Sequence, residues 1–134
     1  MAHEATLVHI AHDGDIIAAR QKGRDLASSI GFVGSDLTII ATAISEFARN
    51  IVVYARRGEI SIGVEEKSGR RGLVVIARDE GPGIPNIEQA MRDGFSTGKS
   101  LGLGLPGARR LMDEFEIVST VGEGTTVTMR KWKA

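Results

Sequence analysis

Cysteine is absent from this chain, which excludes disulfides and thiolate metal sites and fits a reducing compartment. An excess of one charge is lacking as well. The 17 basic residues balance 17 acidic ones across the 134 positions, so no footprint of a nucleic-acid or membrane-surface binder is present. No uninterrupted apolar run approaches the roughly 20 residues of a membrane span. The opening MAHEATLVHIAHDGD has no basic segment leading into an apolar one, so no signal peptide is expected. These absences lead to the expectation of one cytoplasmic domain over residues 1–134, large enough to bury its own core.

Periodicity supplies the elements. Residues 5–10, ATLVHI, read as an edge strand. Residues 15–30 place Ile16, Ala19, Gly23, Leu26, Ala27 and Ile30 at helical spacing, with Asp13 or Asp15 near the start. A longer helix is expected from Ser35, as its cap, to about Tyr54. Residues 59–65 alternate, and GLVVIARD (72–79) is a continuous apolar run, with SGRRG between them as a turn. A short helix is expected over 86–93, another over 107–115, and two closing strands over 116–120 and 125–132. The order predicts an α+β fold, a two-layer sandwich of a mixed, largely antiparallel sheet with helices on one face.

Residues 94–107, GFSTGKSLGLGLPG, contain two near-motifs for phosphate. A P-loop requires four residues between its glycines and a preceding strand; here three residues intervene and a helix precedes. A dinucleotide fold needs its G-x-G-x-x-G early, after a strand, and this copy comes late. Taken alone it is a flexible loop entering a helix. Even so, glycines that end where a helix begins direct free N–H groups and a positive dipole toward one point, which suits phosphate.

Two further motifs precede it. In the long helix Leu37, Ile40, Ile44, Phe47 and Ile51 form an apolar stripe, and Glu46 and Asn50 fall among apolar neighbours. Four residues apart, this carboxylate and amide project together. Thr38, Ser45 and Arg49 are expected to face solvent. At the end of the run 72–79 stands Asp79-Glu80-Gly81-Pro82-Gly83, a terminal carboxylate followed by glycines that admit a flat ligand. An ionised carboxylate only accepts hydrogen bonds, so Asp79 suits a donor such as the exocyclic amine of adenine. Each motif alone is equally an ordinary helix face or an ordinary turn.

In this order, E-x-x-x-N, then D-x-G-x-G, then G-x-G-x-x-G, the chain resembles the GHKL superfamily, whose Bergerat fold binds ATP. The resemblance runs over nearly the whole chain. Its length, with no phosphoacceptor hairpin around His3, His9 and His12, resembles the bacterial serine/threonine switch kinases, and Tyr54-Ala55 after the helix motif favours the stressosome branch over the anti-sigma-factor kinases. The resemblance implies Glu46 as general base and Asn50 as ligand of Mg²⁺ on the phosphates of ATP. It implies Asp79 as the adenine acceptor with Gly81 and Gly83 beside it, and Thr125 as a hydroxyl on the adenine side. Lys99, Gly102, Leu103, Gly104, Leu105 and Gly107 would form the lid and phosphate turn. The partners implied are STAS-domain stressosome proteins as substrates and a PP2C-type phosphatase after release, with no nucleic acid and no membrane. An anti-sigma factor kinase, or a nucleotide-gated binding module with little turnover, is the alternative.

Overall fold

The computed structural model of the chain describes residues 5–83 and 104–133. In order along the chain come β1 (Ala5–Ile10), α1 (Asp13–Ser29), α2 (Ser35–Asn50), β2 (Gly58–Lys67) and β3 (Arg70–Asp79), then α3 (Gly104–Leu111), β4 (Glu114–Thr120) and β5 (Gly124–Trp132). The strands lie in the order β1-β2-β3-β5-β4, and each described pairing is antiparallel. Thus β1 is an edge strand, as its short, partly alternating sequence predicts.

Register sorts each strand into two faces. Val8, Ile60, Ala77 and Val127 stand in one cross-strand row, and Ile62, Val75 and Met129 in the next. Ile60, Ile62, Val75 and Met129 are at most 1% exposed, and they meet Ile40, Ile44, Phe47 and Ile51 from α2 and Ala108 from α3. Burying each large side chain of this set is worth about 1.5–3 kcal/mol. The intervening row, with Leu7, Ser61, Thr128 and Glu116, belongs to the opposite face, where Leu7 is 49% exposed. Helices therefore cover one face of the sheet, giving the two layers expected.

Glycine lets the helices approach. A Cβ at Gly23 of α1 would strike Cδ1 of Ile44 on α2, so the glycine leaves the space that the Ile44 side chain fills where the two helices meet. The helix that begins at Ser35 continues through a π-helical turn at Ile51–Ala55. By length and composition Ser35–Ala55 could cross a membrane. Here its apolar stripe is spent on the sheet, and a buried carboxylate, Glu46, sits at its middle.

Several expected boundaries move. Ser35 is the first residue of α2 rather than its cap; Gly34, at φ 59°, precedes it with no side-chain cap. At α1 the N-cap is His12, and Asp15 turns back to accept the backbone N–H groups of Ala11 at 2.8 Å and His12 at 3.1 Å. The turn between β2 and β3 is Ser68-Gly69 alone. Arg70 and Arg71 belong to β3, where Arg70 lies over the Trp132 ring and Arg71 faces Glu66. The late helix starts at Gly104, earlier than predicted, and ends at Leu111, so Glu114 and Phe115 are strand residues. The helix expected over 86–93 lies outside the described residues.

Candidate functional site

The sheet delivers its chemistry to one end. Asp79, the last residue of β3, stands opposite Gly58 of β2 on one side and Thr125 of β5 on the other. Strand alternation puts Asp79, Thr125 and the next neighbour, Ser119, on the face covered by helices. Ser119 Oγ lies 2.8 Å from Thr125 Oγ1 and 3.3 Å from the Gly124 carbonyl. Gly81 N–H donates to Asp79 Oδ1 at 2.9 Å, closing a turn in which the carboxylate is held by its own loop.

Small residues make this end tight. A Cβ on Gly81 would lie 2.6 Å from the Ala55 Cβ, and one on Gly58 would lie 3.1 Å from both the Asp79 Cβ and Ile51 Cγ2. Gly124 passes against the Asp79 carbonyl so closely that no side chain fits. Gly83, at φ 79°, sits against Thr120, and Gly122 N–H donates to the Pro82 carbonyl at 2.9 Å. The loop Glu80–Gly83 is thereby fixed between the π-helical turn and the β4–β5 hairpin. At Gly81 and Gly83, where the sequence suggested room for a flat ligand, the close neighbours are Ala55 and the Thr120 backbone respectively.

Glu46 and Asn50 lie on α2 in the turns that lead to Ile51, just before the element that touches the Asp79 loop. Glu46 is 4% exposed and is not left unpaired. Asn50 is half-buried, and its Nδ2 is a buried donor with no hydrogen-bond partner among the described residues. An amide N–H unused in this way is suited to an acceptor oxygen from an outside ligand, and the Oδ1 of the same amide is the atom that could meet a cation. Among the described residues no three His, Asp or Glu side chains gather as a metal site. A hard cation here would draw oxygen from Asn50 and from a bound phosphate, the sparse protein coordination that Mg²⁺ accepts.

Gly104 begins α3 and Gly107 is buried within it, beside Ala108 in the core. Leu105 belongs to the first turn of that helix. Lys99, Gly102 and Leu103 lie outside the described residues. So the structure brings Asp79, Gly81, Gly83 and Thr125 together, and links them through Ala55 and Ile51 to the Glu46–Asn50 turns. Sequence reasoning missed four participants. Ser119 was an unremarked strand position, Gly58 and Ala55 acquire meaning only from what they touch, and Arg49 was expected in solvent. It is half-buried instead, with a buried Nε.

The match to known proteins agrees with this arrangement. A family model described as the histidine kinase-like ATPase domain matches residues 11–131, and the chain belongs to that family. Within it, the chain is a homologue of the serine/threonine-protein kinase RsbT of Bacillus subtilis (strain 168). The two are 51% identical over 130 residues, which cover 97% of this chain and 98% of that one. Anti-sigma F factor of Geobacillus stearothermophilus is 38% identical over 103 residues, covering 72% of this chain and 69% of that protein. In structure, the RsbU and RsbW domains of a Mycobacterium tuberculosis protein superimpose with a TM-score of 0.65 at 21% identity, spanning 100% of this chain and 34% of that one. The mycobacterial sensor histidine kinase MprB superimposes at 0.56 with 13% identity, over 98% of this chain and 97% of that one. At such identities these two structures speak for the fold.

Proposed function

We propose that this chain is an ATP-dependent serine/threonine-protein kinase that phosphorylates STAS-domain proteins of a bacterial stressosome. On release it acts as a partner-switching activator of a PP2C-type phosphatase. The observation that carries the kinase reading is Glu46, a carboxylate buried on α2 one helical turn before an Asn50 amide whose Nδ2 has no partner among the described residues. The similarity to RsbT over 97% of the chain supports the choice of protein substrate. The reading places the kinase in the cytoplasm.

In this reading Asp79 accepts the adenine amine, Thr125 supplies a hydroxyl beside it, and Gly81 and Gly83 let the loop that carries Asp79 pack against Ala55 and Thr120. Backbone N–H groups at the start of α3, with Gly102, Leu103, Gly104, Leu105 and Gly107, receive the phosphates, and Lys99 adds positive charge. Glu46 takes the proton of the substrate hydroxyl as its oxygen bonds to the γ-phosphorus and the bond from that phosphorus to the β,γ-bridging oxygen breaks, releasing ADP. Asn50 would hold Mg²⁺, which neutralises phosphate charge when bound. General-base assistance is worth on the order of 10²–10⁴ in rate, and positioning supplies much of the rest.

The test is the intact mass of a stressosome STAS protein incubated with this chain and Mg-ATP, beside a Glu46→Ala control. One added phosphate from the parent alone is the expected result; no phosphate despite ATP binding would overturn the kinase reading. The similarity to anti-sigma F factor keeps one second reading, an anti-sigma factor kinase, which capture of a sigma factor by the chain would favour.

A further inference from the structure

Among the described residues, two buried side-chain polar atoms have no hydrogen-bond partner, and they belong to consecutive residues: Arg49 Nε and Asn50 Nδ2. Both are donors. Leaving a buried donor unmade costs about 1–3 kcal/mol, more when the group is charged, so two in succession need an explanation. The described residues do not supply one. Arg49 is not needed to fill the core, which α2 builds from Ile40, Ile44, Phe47 and Ile51 on its other side.

Helix geometry locates the pair. Asn50 follows Glu46 by four residues, about 40° around the axis in one sense, and Arg49 follows it by three, about 60° in the other. Glu46 therefore stands between them. The two orphan donors flank the one buried carboxylate of this helix. What both lack among the described residues is an acceptor oxygen, and for a guanidinium the best complement is an anionic one.

We propose that Arg49 is a further phosphate-recognition residue, one that holds the terminal phosphate of ATP from the side of Glu46 opposite Asn50. This rests on the kinase reading above and adds to it. A fixed positive charge there stabilises the phosphoryl group as it moves between the β,γ-bridging oxygen and the substrate hydroxyl, a role in which an arginine counts more in transfer than in simple nucleotide affinity. It also explains why the nucleotide-free fold tolerates the cost of the orphan Nε–H.

The experiment uses the full chain as parent, Arg49→Gln, Arg49→Lys and Arg49→Met. Calorimetric titration with ADP and with a non-hydrolysable ATP analogue, both with Mg²⁺, is combined with phosphotransfer to a STAS protein. Arg49→Gln is expected to bind ADP as the parent does while losing on the order of 10- to 100-fold in affinity for the ATP analogue. Its kcat should fall at least as far with KM for the protein substrate unchanged, and Arg49→Lys should recover part. Arg49→Met, which removes the orphan donor, is expected to melt no lower than the parent without nucleotide. Equal losses for ADP and the analogue, or a lower melting temperature in Arg49→Met, would make Arg49 structural and overturn the proposal. A change confined to KM for the protein would make it a docking residue, with the same consequence. A parent that binds the analogue but transfers no phosphate would sink the kinase reading, whereas an active parent matched by Arg49→Gln would sink only the role of Arg49.

Discussion

Asp79 and Thr125 stand opposite each other at the end of the β3–β5 ladder, and the Gly81 N–H holds one oxygen of that aspartate at 2.9 Å. The second carboxylate oxygen remains an acceptor for an incoming donor, with a hydroxyl pair, Thr125 and Ser119, alongside at 2.8 Å from one another. Replacing Asp79 by Asn turns an acceptor into a mixed group at nearly constant volume. Affinity for ATP should fall about 10- to 100-fold, the worth of a hydrogen bond to a charged group, with little change in melting temperature. Titration calorimetry reads this directly. An ATP affinity equal to that of the parent would remove Asp79 from adenine recognition.

Asn50 carries a different expectation. Asn50→Ala removes the carboxamide and with it the buried orphan, so stability should hold or rise slightly. The dependence of ATP binding on Mg²⁺ should weaken. Nucleotide titrations with and without Mg²⁺ compare the two, and an unchanged metal dependence would exclude Asn50 as the ligand.

Gly81→Ala tests the contact between the π-helical turn and the Asp79 loop. The new methyl would lie 2.6 Å from the Ala55 Cβ and 2.8 Å from its Cα, so one of the two segments must move. Such overpacking typically costs about 1–3 kcal/mol, and because Gly81 N–H orients Asp79 the nucleotide affinity should fall with it. Adding Ala55→Gly should restore part of both losses; no recovery in the double variant would place the strain elsewhere.

Phe47 couples the two layers. It is 2% exposed, and its ring meets Phe115 of β4 edge-on with centroids 6.1 Å apart. Phe47→Ala should destabilise the fold by about 3–5 kcal/mol, measured by denaturant unfolding. A loss below about 1 kcal/mol would mean that the site collapses around the vacated space.

Asp15 makes stability depend on pH. The N–H groups of Ala11 and His12 hold its carboxyl below the usual aspartate value of 3.8, opposed by desolvation and helped by the nearby His12 and His9. A depressed folded-state pKa stabilises the fold fully above the unfolded value, and that contribution is lost as pH falls through the folded one. Asp15→Ala should therefore melt below the parent at neutral pH, with the gap closing under acid conditions below 3.8. Melting curves across that range decide it; a gap that persists unchanged into acid would assign the effect to packing.

Much of this molecule was legible along the chain because its determinants are local. The apolar stripe from Leu37 to Ile51 follows from 3.6-residue spacing, and the pairing of Glu46 with Asn50 on one side follows from the same geometry. Asp79 at a strand end before Gly81 and Gly83 is turn chemistry that needs no partner to be recognised. Other features were decided by segments far apart in sequence. Arg70 and Arg71 read as turn residues, yet they are strand residues because the β2–β3 ladder runs on through Arg71 opposite Glu66 and Arg70 opposite Lys67. Ser119 reaches Thr125 only because β4 lies outside β5, and Ala55 matters only because the helix widens into a π turn and meets Gly81. Arg49 looked like a solvent residue from its place on the helix, and its buried Nε emerged only with the surrounding fold in place. Sequence by itself determined which side chains each element presents, since periodicity and turn chemistry act within a few residues. Which of them meet, and which donors are left without an acceptor, depended on the packing of elements brought together by burial of the common core.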